Sequence, residues 1–284
     1  MERRPLGSTG EMLSVIGLGG IVVMNTEPTE ARNRVAEAVD RGVNYFDVAP
    51  SYGDAEACLG PALEPYRDRV FLACKTGKRT RSEAAEELRA SLQRLRTDHF
   101  DLYQLHAMTT QEDLETATGP GGALEAFVEA REAGLIRHLG FSAHSVEVAV
   151  ALLDRFPFAS VLFPLNWMEY VNAGFGPQVV EKARAMGVGR LALKAMARQK
   201  WPEGADRTAW PRCWYEPCTD PIEASLALRF TLSQPITAAV PPGDVRLFRQ
   251  ALEVAEQLTP VTETEEAELR RRAAGLEPFF RLAA

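Results

Sequence analysis

The chain has 284 residues, 46% of them hydrophobic and 25% charged, with a formal net charge of −7. That apolar share fills a sizeable core and excludes general disorder, and the acidic balance excludes a dedicated nucleic-acid binder, which carries a basic face. No apolar run approaches the ~18 residues of a membrane span, and Met1-Glu2-Arg3-Arg4-Pro5 leads into no apolar signal core, so a soluble, cytoplasmic protein is expected.

In chain order, Arg4 to Val15 reads as a hairpin turning at Gly7-Ser8-Thr9-Gly10. Ile16-Gly17-Leu18-Gly19 follows as a first strand, its glycines expected to let the chain turn tightly. Thr29 is expected to cap a helix that reaches Arg41, with Val35, Ala38 and Val39 on one face and Gly42 ending it. Strand-like runs then recur at 43–47, 70–75, 100–105, 136–141, 159–163, 188–193 and 236–240. Helical patterns lie between and after them, near 54–65, 82–96, 122–133, 145–154, 177–186, 221–232 and 244–257. In the helix near 82–96, Ser82 is the expected cap. Arg270-Arg271-Arg272, following Glu263, Glu265, Glu266 and Glu268, reads as a solvated helix.

Strict alternation of eight strands with eight helices implies a parallel sheet, and that number favours closure into a (β/α)8 TIM barrel with an N-terminal β-hairpin. Gly17-Leu18-Gly19-Gly20 lacks the third glycine and the following helix of a dinucleotide fingerprint, which disfavours an open doubly wound sheet. No linker or low-complexity tract divides residues 1–284, so one domain is expected. Residues 107–121 and 194–220 exceed a minimal connection and read as loops. The second is rich in Trp and Pro, and its aromatics either line a pocket or pack the loop on the barrel. Cys58, Cys74, Cys213 and Cys218 make no disulfide scaffold in so long a chain. Cys213 and Cys218, with His144 as the one plausible further ligand, make a poor metal site, so no metal is expected.

Four polar residues stand where successive strand-like runs end. Asp47 closes Asn44-Tyr45-Phe46-Asp47, Tyr52 lies in the loop just beyond, Lys75 closes Val70-Phe71-Leu72-Ala73-Cys74, and His106 closes Phe100 to Leu105. In a parallel barrel those ends share one rim. A cation beside a tyrosine favours phenolate, so Lys75 is expected to lower the Tyr52 pKa and ease its proton release. Asp47 can hold the ammonium through a charge-assisted hydrogen bond, and His106 can orient a substrate carbonyl. The set suits carbonyl reduction, with hydride from a cofactor, because no side chain supplies one. Taken singly, each residue has another reading: a surface or Schiff-base lysine, a helix-capping or metal-binding aspartate, a loop aromatic, a structural histidine.

The sequence resembles the aldo-keto reductase superfamily. The match is carried by Asn44-Tyr45-Phe46-Asp47-Val48-Ala49-Pro50-Ser51-Tyr52-Gly53, by Leu72-Ala73-Cys74-Lys75-Thr76-Gly77, by Asp101-Leu102-Tyr103-Gln104-Leu105-His106 and by Ile136-Arg137-His138-Leu139-Gly140-Phe141-Ser142. The resemblance implies a barrel enzyme using NAD(P)H, with Tyr52 as general acid, Lys75 and Asp47 tuning it, and His106 orienting an aldehyde or ketone carbonyl. It also implies cofactor contacts at Gly20, Ile21, Asp47 and Ser142, then Lys194-Ala195-Met196 after the seventh strand, and Pro241 and Gly243 after the eighth. Two positions depart from the family pattern: Ala143 stands where asparagine is usual and Leu162 where glutamine is common. Arg246, with Arg249 close by, matches a basic position that meets the 2′-phosphate, which favours NADPH and leaves NADH open. The phrase Gly140-Phe141-Ser142-Ala143-His144-Ser145 is similar to a divergent branch of the superfamily, some of whose members carry a ferredoxin-like extension that is not seen here. Two other classes compete: a regulatory protein that holds NADP(H) with little turnover, and a metal- or Schiff-base-dependent barrel lyase. The physiological substrate and the oligomeric state are not specified by the sequence.

Overall fold

A computed structural model describes residues 1–282. The chain opens with a hairpin of β1 (Arg3–Pro5) and β2 (Met12–Ser14), then β3 (Gly17–Gly19), α1 (Pro28–Asp40), β4 (Tyr45–Asp47), α2 (Ala55–Leu63), β5 (Phe71–Thr76), α3 (Arg81–Arg94) and β6 (Phe100–Met108). It continues through α4 (Gln111–Thr118), α5 (Ala123–Glu132), β7 (Ile136–Ala143), α6 (Val146–Arg155), β8 (Ser160–Pro164), α7 (Pro177–Ala185) and β9 (Gly189–Leu193). The last elements are β10 (Ala197–Gln199), β11 (Glu216–Pro217), α8 (Pro221–Ser233), β12 (Ala238–Val240), α9 (Val245–Glu256) and α10 (Glu263–Ala273). Among the described residues no helix is long and apolar enough to cross a membrane.

Eight parallel strands form one sheet in the order β12-β9-β8-β7-β6-β5-β4-β3. A parallel bridge between Ile16 and Ala239, with the Ala239 N–H donating to the Val15 carbonyl at 2.9 Å, joins its two edges and makes the expected (β/α)8 barrel. Strand alternation sorts the side chains. Phe46, Leu72, Cys74, Tyr103 and Leu105 pack outward in the core beneath the helices. Tyr45, Phe71, Ala73, Leu102, Leu162, Leu191 and Val240 fill the barrel's interior. The hairpin, paired Arg4 to Leu13, brings Leu6 and Leu13 into that same interior cluster. It is therefore part of the core rather than an appendage.

Several local expectations are corrected. Helix α1 starts at Pro28 after Glu27, not at a Thr29 cap, because proline with its fixed φ and missing N–H suits the first helical position. Helix α3 starts after Thr80 rather than at Ser82. The glycines of β3 do not turn the chain. A Cβ on Gly17 would lie 2.4 Å from the Tyr45 ring, so this glycine makes room for that ring. Residues 107–121 are not a plain loop: β6 runs on to Met108, and α4 forms because the Thr110 hydroxyl accepts the Asp113 N–H while Leu114 and Ala117 are buried. Within 194–220, β10 and β11 form a short antiparallel pair.

Leu6 is fully buried. Leu6→Ala should lower the unfolding free energy by about 2–5 kcal/mol in urea denaturation. A loss below about 1 kcal/mol would mean that the hairpin adds little to the barrel's core.

Candidate active site

The period of two that packs the barrel also builds the site. Along β4 the side chains of Tyr45 and Asp47 point inward, as do Ala73 and Lys75 on β5 and Leu102, Gln104 and His106 along β6. Apolar members of these series fill the lower barrel, and polar members collect where the strands end. Lys75, fully buried, donates to Asp47 Oδ1 and to the Val48 carbonyl at 3.3 Å. Asp47 Oδ2 accepts from the Tyr45 hydroxyl at 3.0 Å and from Gln104 Nε2 at 3.1 Å. The Lys75 ammonium lies 5.5 Å from the centroid of the Tyr52 ring, and that ring meets His106 edge-on with centroids 5.7 Å apart. Ser51 Oγ stands 3.5 Å from His106 Nδ1. All four residues singled out in the sequence therefore meet at one place.

The backbone around His106 is held against its preference. Ala107, the next residue, has a φ of +53°, and Lys194, just after β9 elsewhere on the rim, has a φ of +62°. Such non-glycine conformations persist only where the surroundings over-determine them. Here Ser142 Oγ accepts the Ala107 N–H at 2.8 Å, and Arg79 donates to the His106 carbonyl at 2.8 Å.

Electrostatics correct one expectation. Burial pushes the Tyr52 phenol above its ordinary pKa; Lys75 draws it down, but by less, and Asp47 pushes it up again. Lys75 does lower the phenol's pKa, as expected, but burial outweighs it and the net shift is upward. Burial also works against the charge on Lys75, yet Asp47 and Tyr52 outweigh it and hold the ammonium above its usual range. Burial, then the field of Lys75, pushes His106 down to about 3, so its imidazole is neutral. A lysine held this firmly as a cation is a poor Schiff-base nucleophile. Among the described residues, no group of three or more His, Cys, Asp or Glu is arranged to hold a metal ion.

Asp47, Tyr52 and His106 line a cleft above the buried Lys75, part of it open to solvent. Of the residues expected at a cofactor, Ile21, Asp47, Lys194, Pro241 and Gly243 line it. Others do not. Gly20 is buried against Val48, Ser142 is buried and accepts the Ala107 N–H, its own O–H remaining free to donate, Leu162 lies in the barrel interior, and Ala143, Ala195 and Met196 are buried in the outer core. Arg246 is paired with Asp244, Nε to Oδ1 at 2.9 Å and Nη2 to Oδ2 at 2.8 Å, and lies 4.0 Å above the Trp210 ring. Arg249 is paired with Glu37 of α1.

Among the other lining residues, His144 and Arg212 were not foreseen there, while Trp214 and Tyr215 meet the pocket-lining reading left open for their segment. His144, Arg212, Trp214 and Tyr215 all face the cleft, the last three from the Trp-rich segment. That segment divides its aromatics: Trp201 donates to the Cys213 carbonyl and Trp210 carries Arg246, whereas Trp214 and Tyr215 wall the cleft. Tyr45 and Gln104 were within reach of sequence reasoning, since each lies two residues before a singled-out residue on the same strand face.

The profile of the Aldo/keto reductase family matches residues 15–209. The oxidoreductase YqkF of Bacillus subtilis is 33% identical over 180 residues, covering 58% of this chain and 56% of that protein. Aldo-keto reductase YhdN of the same organism is 31% identical over 188 residues, 60% of this chain and 55% of the relative. The matched stretch thus spans a little over half of each of these curated relatives. An aldo-keto reductase of Bacillus halodurans solved in its holo form shares the fold, with a TM-score of 0.74 at 24% identity over 99% of this chain and 98% of that one. With a family profile covering more than half its length, the chain belongs to the aldo/keto reductase family.

Proposed function

We propose that this chain reduces aldehyde or ketone carbonyls with a nicotinamide cofactor, Tyr52 giving the proton. The observation that carries this reading is the meeting of Tyr52 and His106 on the cleft floor above the buried Asp47–Lys75 pair. The solved neighbour in holo form lends support for a bound cofactor. When bound, a reduced nicotinamide supplies the hydride.

The cleft suits such a group. It extends from the four polar residues to Pro241, Pro242 and Gly243, just before the N-terminus of α9, where backbone N–H groups favour phosphate. A Cβ on Gly243 would lie 2.2 Å from Ile21 Cγ2, so the glycine keeps this end of the cleft close-packed. Arg212 adds a cation on the same cleft. Ile21, Lys194, Pro241, Gly243 and Arg212 are the residues assigned to hold the cofactor or its neighbourhood. Arg246 carries the preference for NADPH: Asp244 engages two of its nitrogens, and Nη1 has no protein acceptor among the described residues.

The residues divide the proton work. A raised pKa keeps the Tyr52 hydroxyl protonated at neutral pH, so it acts as a donor. The neutral His106 ring, with Nδ1 toward Ser51, leaves its other nitrogen to donate to the carbonyl oxygen and orient it. Once Tyr52 gives up its proton, the Lys75 ammonium stabilises the phenolate, while Asp47, braced by Tyr45 and Gln104, keeps that ammonium in place. The convergence of all four groups favours turnover over a purely regulatory binding role.

Tyr52→Phe should cut kcat for aldehyde reduction by about a hundredfold or more while leaving NADPH affinity nearly intact; unchanged turnover would remove the phenol from the chemistry. Because His106 titrates near 3, kcat/KM should show no imidazole inflection between about pH 5 and about 8. A clear break near the ordinary histidine value, lost in His106→Gln, would contradict a neutral ring. Arg246→Ala should weaken NADPH about tenfold in a fluorescence titration and NADH far less. Equal losses would place Arg246 outside any 2′-phosphate contact.

A further inference from the structure

The cleft holds a second lysine whose charge the fold leaves unmatched. Lys194 lies at the end of β9 and lines the cleft together with Tyr52 and His106. Its Nζ makes one hydrogen bond, to His144 Nε2 at 3.4 Å, and sits 5.6 Å from the Phe280 ring centroid and 6.0 Å from that of Tyr215. No ion pair reaches it among the described residues. The carboxylate whose field it feels, Glu169, is fully buried: its Oε1 accepts the N–H groups of Phe279 at 2.7 Å and Phe280 at 3.2 Å, and its Oε2, without a partner, makes no ion pair with Lys194. An ammonium carries three donors and no acceptor, and this one spends a single donor on a neutral ring.

The contrast with Lys75 is informative. Both amines are enclosed, but Lys75 has Asp47 against it and its charge is fixed, whereas burial pulls Lys194 down to about 8. Lys194 is still mainly a cation at neutral pH, held among an aromatic wall and a neutral imidazole. Desolvating an unmatched charge is costly, and an incoming anion that pairs with it recovers that cost. Burial and the neighbouring Lys194 push His144 to about 3, so it adds no second positive charge. One cation between aromatic faces matches a single carboxylate, and a cofactor's phosphates have Arg212 and the N-terminus of α9 on the same cleft. Lys194 lines the same cleft as Tyr52 and His106, so one small substrate can place its carboxylate at this amine and its carbonyl at those two residues.

We infer that Lys194 recognises a carboxylate on the substrate, and that the carbonyl compounds this site prefers are monocarboxylates: aldehydes or ketones carrying one acid group. This rests on the reductase reading of the same cleft. It moves Lys194 from the cofactor to the substrate and makes it a specificity-determining residue.

The test compares size-matched pairs with NADPH: para-carboxybenzaldehyde against para-tolualdehyde, and succinic semialdehyde against pentanal. The unmodified protein should favour the acid of at least one pair by about 10- to 100-fold in kcat/KM, the worth of one charge-assisted hydrogen bond. Lys194→Met should bring that ratio close to one, chiefly through KM, and Lys194→Arg should restore part of it. A ratio near one in the unmodified protein, or a preference that survives Lys194→Met, overturns the inference and leaves the reductase reading standing. Equal losses on acid and neutral substrates would make Lys194 structural. Weakened NADPH binding with the ratio intact would return it to the cofactor. Reduction of no aldehyde at all would overturn the reductase reading, and this inference with it.

Discussion

A buried ammonium beside a buried carboxylate survives only when both charges are matched and their remaining hydrogen-bonding capacity is met. The Lys75–Asp47 pair satisfies this inside the barrel, and much of the surrounding sequence can be understood as meeting its terms. Asp47 takes hydrogen bonds from Tyr45 and Gln104 on one oxygen and the ammonium on the other, with Val48 supplying a further acceptor to Lys75. Tyr45 fits only because Gly17, on the adjoining strand, has no side chain. The pair also joins adjacent strands, β4 and β5, so barrel closure and charge pairing support each other. Removing one partner would leave the other as an uncompensated buried charge, a loss of about 3–5 kcal/mol where such pairs have been broken.

The same pairing shapes the chemistry. Burial outweighs the lysine's pull at the phenol of Tyr52, with Asp47 adding to it, so the phenol is held protonated rather than drawn toward phenolate. The two imidazoles facing the cleft are neutral for the same reason of desolvation. The site thus works with donors that are polar rather than charged. Two cations on the cleft wall, Lys194 and Arg212, have no ion pair among the described residues. A protein with a net charge of −7 can in this way present a locally positive pocket to a small anion.

What could be seen in the sequence follows the range over which its physics acts. The barrel and the four residues at the strand ends were legible because apolar runs, turn residues and strand ends are local signals, and the parallel topology brings those ends to one rim. Tyr45 and Gln104 were also within reach through strand alternation, a step beyond noting where runs stop. Helix α4 was missed because its apolar face rests on Leu114 and Ala117 alone, although Thr110 and Asp113 carry its cap. The contact of Phe279 with Glu169 spans 110 positions and leaves no local trace. Nor could spacing show that Arg246 is shared with Asp244, that Arg249 is drawn to Glu37, or that Ser142 accepts the Ala107 N–H.

That last long-range contact bears on how the site is assembled. The strands that carry Asp47, Lys75 and His106 are all synthesised early, and domains begin to fold in the order in which they emerge. The strand that closes the barrel, Ala238–Val240, comes far later, and Phe280, whose ring stacks on His144, later still. Until they arrive, the early strands present an open edge and the lysine–aspartate pair stands in water, where it costs little and holds little together. The nascent chain therefore passes through a stage with Asp47, Lys75 and His106 made but the cleft unwalled. Over that interval an unpaired β edge is exposed to other chains, which makes the speed of the final closure a determinant of yield as well as of activity.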